Sequence, residues 1–204
     1  MAVTGLLLVG FLVTHFAGNL LLFVGEESFN MYAHKLTSNP LIYFAEVFLA
    51  LVFLFHVFLA LKITLGNRGA RPIGYDVTTS LGKKSLASST MMWSGSFIFI
   101  FLVLHLVSFK FGADVVPPTA EGVRNLYALV VARFENKFYS IFYIFCMIVL
   151  GFHLSHAIQS SLRTLGLSHP KYLKYSTIFS CILGIAFAIG YCIFPIYFGF
   201  IRKG

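Results

Sequence analysis

The sequence predicts an all-α membrane protein with five transmembrane helices in one bundle, and three observations carry that prediction. The chain of 204 residues is 58% hydrophobic and 11% charged, with a mean hydropathy of +0.87, a balance foreign to a soluble domain. Five stretches reach the ~20 mostly apolar residues that a helix needs to cross a hydrocarbon core. Four of those stretches hold a histidine deep inside, at His15, His56, His105 and His153, where lipid offers imidazole few partners.

The five stretches are roughly 2–24, 41–65, 91–111, 139–162 and 176–200. Backbone inside a bilayer must satisfy its own hydrogen bonds, so each is read as a helix. The first begins at Met1 with no basic lead-in and is too long for the apolar region of a signal peptide, so it is read as a spanning helix. Its lack of any polar lead-in points to a translation start farther upstream. Pro195 lies in the fifth stretch and should kink that helix near its end rather than abolish it. The connections 66–90 and 112–138 carry Pro72, Pro117, Pro118 and several glycines and read as loops with some short helix. The spans fill most of the chain, so residues 1–204 form a single domain with neither internal repeats nor low-complexity tracts.

The net charge of +8 would suggest a nucleic-acid partner in a soluble protein. Here it is loop charge that orients a membrane protein, and no nucleic acid is expected. One side receives Lys62, Arg68, Arg71, Lys83, Lys84, Arg163, Lys171 and Lys174, with Asp76 its only acid. The other receives Lys35, Lys110, Arg124, Arg133, Lys137, Arg202 and Lys203, offset by Glu26, Glu27, Asp114, Glu121 and Glu135. Eight cations against seven, on short connections, favour a cytoplasmic position for the first side and for the N-terminus. Cys146, Cys181 and Cys192 form no C-x-x-C pattern and read as packing residues.

Depth along each helix pairs the histidines. His15 and His105 each lie 13 residues past Ala2 and Met92, starting from the inner side, or about 20 Å along at 1.5 Å per residue. His56 lies 15 residues past Leu41 and His153 lies 13 past Ser140 on helices running the other way. His15 and His105 therefore share the outer half of the membrane, and His56 and His153 the inner half. Two imidazoles facing each other across a bundle make a bis-histidine haem site. The bundle is thus expected to enclose two haems b, the outer iron on His15 and His105 and the inner on His56 and His153. A lone intramembrane histidine can instead bond a neighbouring helix, but four at matched depth would each need a separate partner. His156, three residues past His153 on a similar face, is the rival fourth ligand. Ala17, Gly18, Gly151 and Ala157 could admit a flat macrocycle, or could serve ordinary helix contacts. Lys62, Lys110, Ser160 and Arg163 lie where propionates could reach them, or could simply snorkel to water.

Glu46 lies about 8 Å inside the outer end of the second stretch, where a carboxylate needs a partner, a proton or water. It could deliver protons to a quinone near the outer haem, or bond across a helix interface. Tyr32, His34 and Tyr43 could bond quinone carbonyls, or sit in the interfacial belt. Tyr32, His34 and Glu46 are the quinone-site candidates.

The segments MAVTG, HFAGN, FNMYAH, SNPLIYFAEV, NRGARP, FLVLHLVSFKFG and LGFHLSHAIQSS resemble the cytochrome b558 subunit of succinate:quinone oxidoreductases. This is the single-subunit, five-helix, two-haem anchor also found in fumarate reductases, and the resemblance spans nearly the whole chain. It implies the same two ligand pairs and favours His153 over His156. It also implies a flavoprotein and an iron–sulfur subunit on the cytoplasmic face of a bacterial inner membrane. The implied quinone is menaquinone, bound near the outer haem, and the implied setting is the respiratory chain. The chain departs from the family in lacking a basic lead-in, in Ala157 where many members have Gly, and in Ser89 where many have Arg. It has no nucleotide motif and no iron–sulfur cysteine set, so it is expected not to oxidise succinate alone. The alternatives are a dihaem cytochrome b of a formate dehydrogenase or hydrogenase, and a metal or proton transporter. A transporter should show repeats and interrupted helices.

Overall fold

The computed structural model describes residues 1–69, 86–112, 116–120, 122–167 and 169–202. Arg71, Pro72, Asp76, Lys83, Lys84, Asp114, Glu121 and Lys203 lie outside the described residues, as do the side chains of Arg68 and Ser89. The described residues are 87% helical, with no strand among them. Five helices are long and apolar enough to cross a membrane: Ala2–Val24, Leu41–Asn67, Thr90–Lys110, Lys137–Thr164 and Leu173–Ile201. These match the five expected spans to within a few residues, because uninterrupted hydropathy is a local property that tertiary contacts do not override.

In chain order, α1 is Ala2–Asn19, extended past Leu20 by the turn Leu21–Val24. Gly25, at φ 138°, ends it in backbone that favours glycine. The next helix, α2 (Glu26–Ser38), begins with Glu26 and Glu27 and ends with Lys35, so its charges oppose the helix dipole at both ends. It is followed by α3 (Leu41–Gly69). The fourth helix, α4 (Leu86–His105), continues in π winding over Leu106–Lys110. The short α5 (Leu126–Glu135) is capped by the Asn125 side chain, which accepts from the Ala128 N–H. Asn136 likewise caps α6 (Lys137–Thr164) through the Tyr139 N–H. Finally α7 (Leu173–Ile196) runs through Pro195 and also changes to π winding, over Tyr197–Ile201. The helix survives its proline, as expected, and loosens its winding two residues later.

The spanning helices pack unequally. Contact between α6 and α7 is the most extensive in the molecule. At its centre, a Cβ on Gly151 would stand 2.5 Å from the Gly184 carbonyl oxygen, and one on Gly184 would meet Gly151 as closely. Gly151 therefore serves helix packing, the ordinary role of small residues in membranes, and gives no room beside His153. By contrast, α3 lies along α1 and touches α2, with no comparable packing against α4 or α6. Phe53 stacked on Phe99 at 6.0 Å is a point of contact between α3 and α4.

At the outer end, meaning the end where α1 finishes, α2 and α5 are clasped by amides. Buried Asn30 donates to the Asn125 Oδ1 at 2.9 Å and accepts from the Tyr127 N–H at 2.9 Å. Asn125 donates in turn to Glu26 at 2.7 Å. Below this clasp lies an aromatic cluster that includes Phe29, Phe134, Tyr143, Phe194 and Phe198. Most other large apolar side chains, such as Phe44, Trp93 and Phe138, point away from the protein, as lipid-facing residues should. All three cysteines are free, with Cys146 and Cys192 buried.

Candidate functional site

His15 on α1 and His105 on α4 meet at the outer level. Their ring centroids are 5.9 Å apart with planes at 87°. Two imidazole nitrogens, each about 2 Å from one shared metal, would put the centroids about 6 Å apart, so the spacing fits an axial pair. Aromatic rings enclose both sides. Phe11 stacks on His15 at 5.3 Å, and Tyr191 lies at 6.2 Å. Phe101 and Phe109, one turn before and after His105, flank it at 5.7 and 5.3 Å. The Tyr143 hydroxyl lies 3.3 Å from the His105 Nδ1 and accepts from the Tyr139 hydroxyl at 3.0 Å.

His56 on α3 and His153 on α6, the pair expected at the inner level, are each held from another helix. Each ring is bonded at Nδ1 by a hydroxyl from a third helix. Thr4 of α1 holds His56 at 3.0 Å, and Ser94 of α4 holds His153 at 3.0 Å. The residue after each hydroxyl is a glycine facing the same ring. A Cβ on Gly5 would lie 3.5 Å from the His56 Cε1, and one on Gly95 would lie 3.4 Å from the His153 Cε1. His153 is thus the histidine that meets α4, while its rival His156 lies within reach of Arg163. Among the described residues no three His, Cys, Asp or Glu side chains gather to hold a metal ion.

Several sequence candidates find other work. Lys110, considered for a propionate, forms an ion pair with Glu46 across α4 and α3. Glu46 therefore has a cationic partner rather than a neutral one. Gly18 faces Tyr32, whose hydroxyl would lie 2.7 Å from an added Cβ, so the space there belongs to a tyrosine ring. Tyr32 stands against Gly18 in the turn that follows His15, and Tyr32, His34 and Tyr43 are all exposed. The Lys62, Ser160 and Arg163 side chains are exposed.

Other functional residues carry no obvious signal in the sequence. Arg124 donates to the carbonyls of Phe109, Lys110 and Gly112, clipping the π-wound end of α4 just past His105. A π segment beside a candidate ligand is a frequent companion of functional sites. The Arg133 Nε is buried with no hydrogen-bond partner among the described residues, within electrostatic reach of Tyr143. A buried, unsatisfied guanidinium nitrogen is costly unless an anion completes it, and a carboxylate such as a haem propionate would be such an anion. In comparisons with known proteins, no family model, no curated protein and no solved structure matches the chain.

Proposed function

We propose that this chain is the dihaem, membrane-anchoring cytochrome b subunit of a succinate:quinone oxidoreductase or fumarate reductase. It would carry electrons between an iron–sulfur subunit and a quinone, most simply menaquinone, with a flavoprotein completing the complex on the cytoplasmic side. The observation that carries the haem reading is the His15–His105 ring pair, at axial-ligand spacing between two spanning helices. The matched His56 and His153 at the other level and the resemblance across the chain support the rest.

A haem b held by these histidines would supply a one-electron centre. The chain's part is to orient, insulate and solvate. His15, His56, His105 and His153 present the ligands, and the rings around His15 and His105 exclude water from the outer level. Arg133 stands ready for a propionate. Tyr32 and the Glu46–Lys110 pair occupy the outer end, where a quinone would find hydrogen-bonding groups and a titratable carboxylate.

The test is a reduced-minus-oxidised visible spectrum with haem quantitation on the purified chain and its His15→Ala and His56→Ala variants. Two haems b per chain are expected, with each variant losing a different one. A folded preparation from haem-replete cells that contains no haem would end the electron-transfer reading. Co-purification with a flavoprotein and an iron–sulfur protein tests the partners separately.

A further inference from the structure

The inner histidines are held by a device that appears twice. Thr4 donates its hydroxyl proton to the Met1 carbonyl at 2.9 Å, and Ser94 donates its own to the Met91 carbonyl at 3.1 Å. A carbonyl can only accept, and a hydroxyl has a single proton. With that proton committed to the backbone, the Thr4 and Ser94 oxygens can only accept from the facing imidazoles. In that arrangement His56 and His153 carry their protons on Nδ1, which leaves each Nε2 with a free lone pair. Both supporting hydroxyls are followed by a glycine, and both stand eleven residues before the outer-level histidine of the same helix, Thr4 before His15 and Ser94 before His105. Eleven residues are about three helical turns, so on α1 and α4 alike one face serves both levels.

We infer that Thr4 and Ser94 are positioning residues for the inner haem, fixing the tautomer of His56 and His153 and strengthening both as iron ligands. The inference rests on the haem reading above. An acceptor on the far nitrogen makes an imidazole a stronger donor and fixes its ring orientation, and losing such a partner typically costs 10- to 100-fold in metal affinity. A stronger donor favours ferric over ferrous iron, so these two hydroxyls lower the potential of the inner haem. The outer pair is held differently. His105 faces a tyrosine hydroxyl at the longer distance of 3.3 Å, and His15 is flanked by rings.

The experiment compares Thr4→Val and Ser94→Ala with Thr4→Ser and Ser94→Thr, using the full chain in detergent. Haem retention against a competing haem acceptor and a redox titration of each haem are measured, the inner haem being the one that His56→Ala removes. Removing either hydroxyl should loosen the inner haem 10- to 100-fold and raise its potential, with the outer potential unmoved. A tenfold change in the ferric-to-ferrous preference is 59 mV for one electron. The hydroxyl-bearing variants should restore both readouts. The inference fails if the inner potential stays put without the hydroxyls, or if Thr4→Ser and Ser94→Thr lose the haem as badly as Val and Ala. Absence of haem from the wild-type chain is a different failure, that of the haem reading itself.

Discussion

At the scale of single residues, the candidate site rests on four histidines in spanning helices, two of them bonded by hydroxyls of other helices. His15, His56, His105 and His153 stand out because imidazole is rare in lipid and helix rise converts sequence position into depth. Thr4 and Ser94 look like ordinary small polar residues near helix ends, and their partners lie 52 and 59 positions away. No local pattern reports a contact that distant. Glu46 was legible as an anomaly, whereas its partner Lys110, 64 positions on, was not. Both side chains of that pair are 39% exposed, and such ion pairs contribute about 1 kcal/mol or less. Glu46→Gln should therefore keep the haem content of the unaltered chain and lose under ~1 kcal/mol of stability. If the carboxylate handles quinone protons, quinol-driven haem reduction should drop by tenfold or more in the same variant. Unchanged reduction kinetics would make the pair purely structural.

At the scale of elements, composition determined the five spans but said little about the two short helices. Spanning segments announce themselves by hydropathy. In contrast, α2 and α5 are brief and mixed in polarity, and they depend on a cap and on the Asn30–Asn125 clasp that forms only when the chain folds. Sequence left Gly151 open between a macrocycle and a helix contact, and it packs against Gly184 of α7. Gly151→Ala should force the two backbones apart, since neither carbonyl can yield alone, at a cost of about 1–3 kcal/mol. Gly10→Ala meets nothing within 4 Å and should be neutral or stabilising by up to ~1 kcal/mol. Thermal unfolding of the two variants in detergent, followed by circular dichroism, should separate them clearly. Equal midpoints would show that the α6–α7 contact is looser than its geometry implies.

At the scale of the whole molecule, α6 and α7 form a tightly packed unit, while α3 packs mainly along α1 and meets α2 and α4 more lightly. A ligand that binds only the folded form stabilises what it bridges, and a haem on His56 and His153 would bridge α3 to α6. Haem-depleted protein should accordingly exchange its α3 amides faster than the loaded form, with α6 and α7 changing little, as read by hydrogen exchange and mass spectrometry. Uniform change across all helices would count against α3 as the element the cofactor secures. The eleven-residue interval on α1 and α4 has a further cost for variation. An inserted or deleted residue between Thr4 and His15, or between Ser94 and His105, twists one end of the helix by about 100° against the other. No rotation of the rod can then satisfy both levels, so these two helices can exchange side chains but cannot change length between their two working positions.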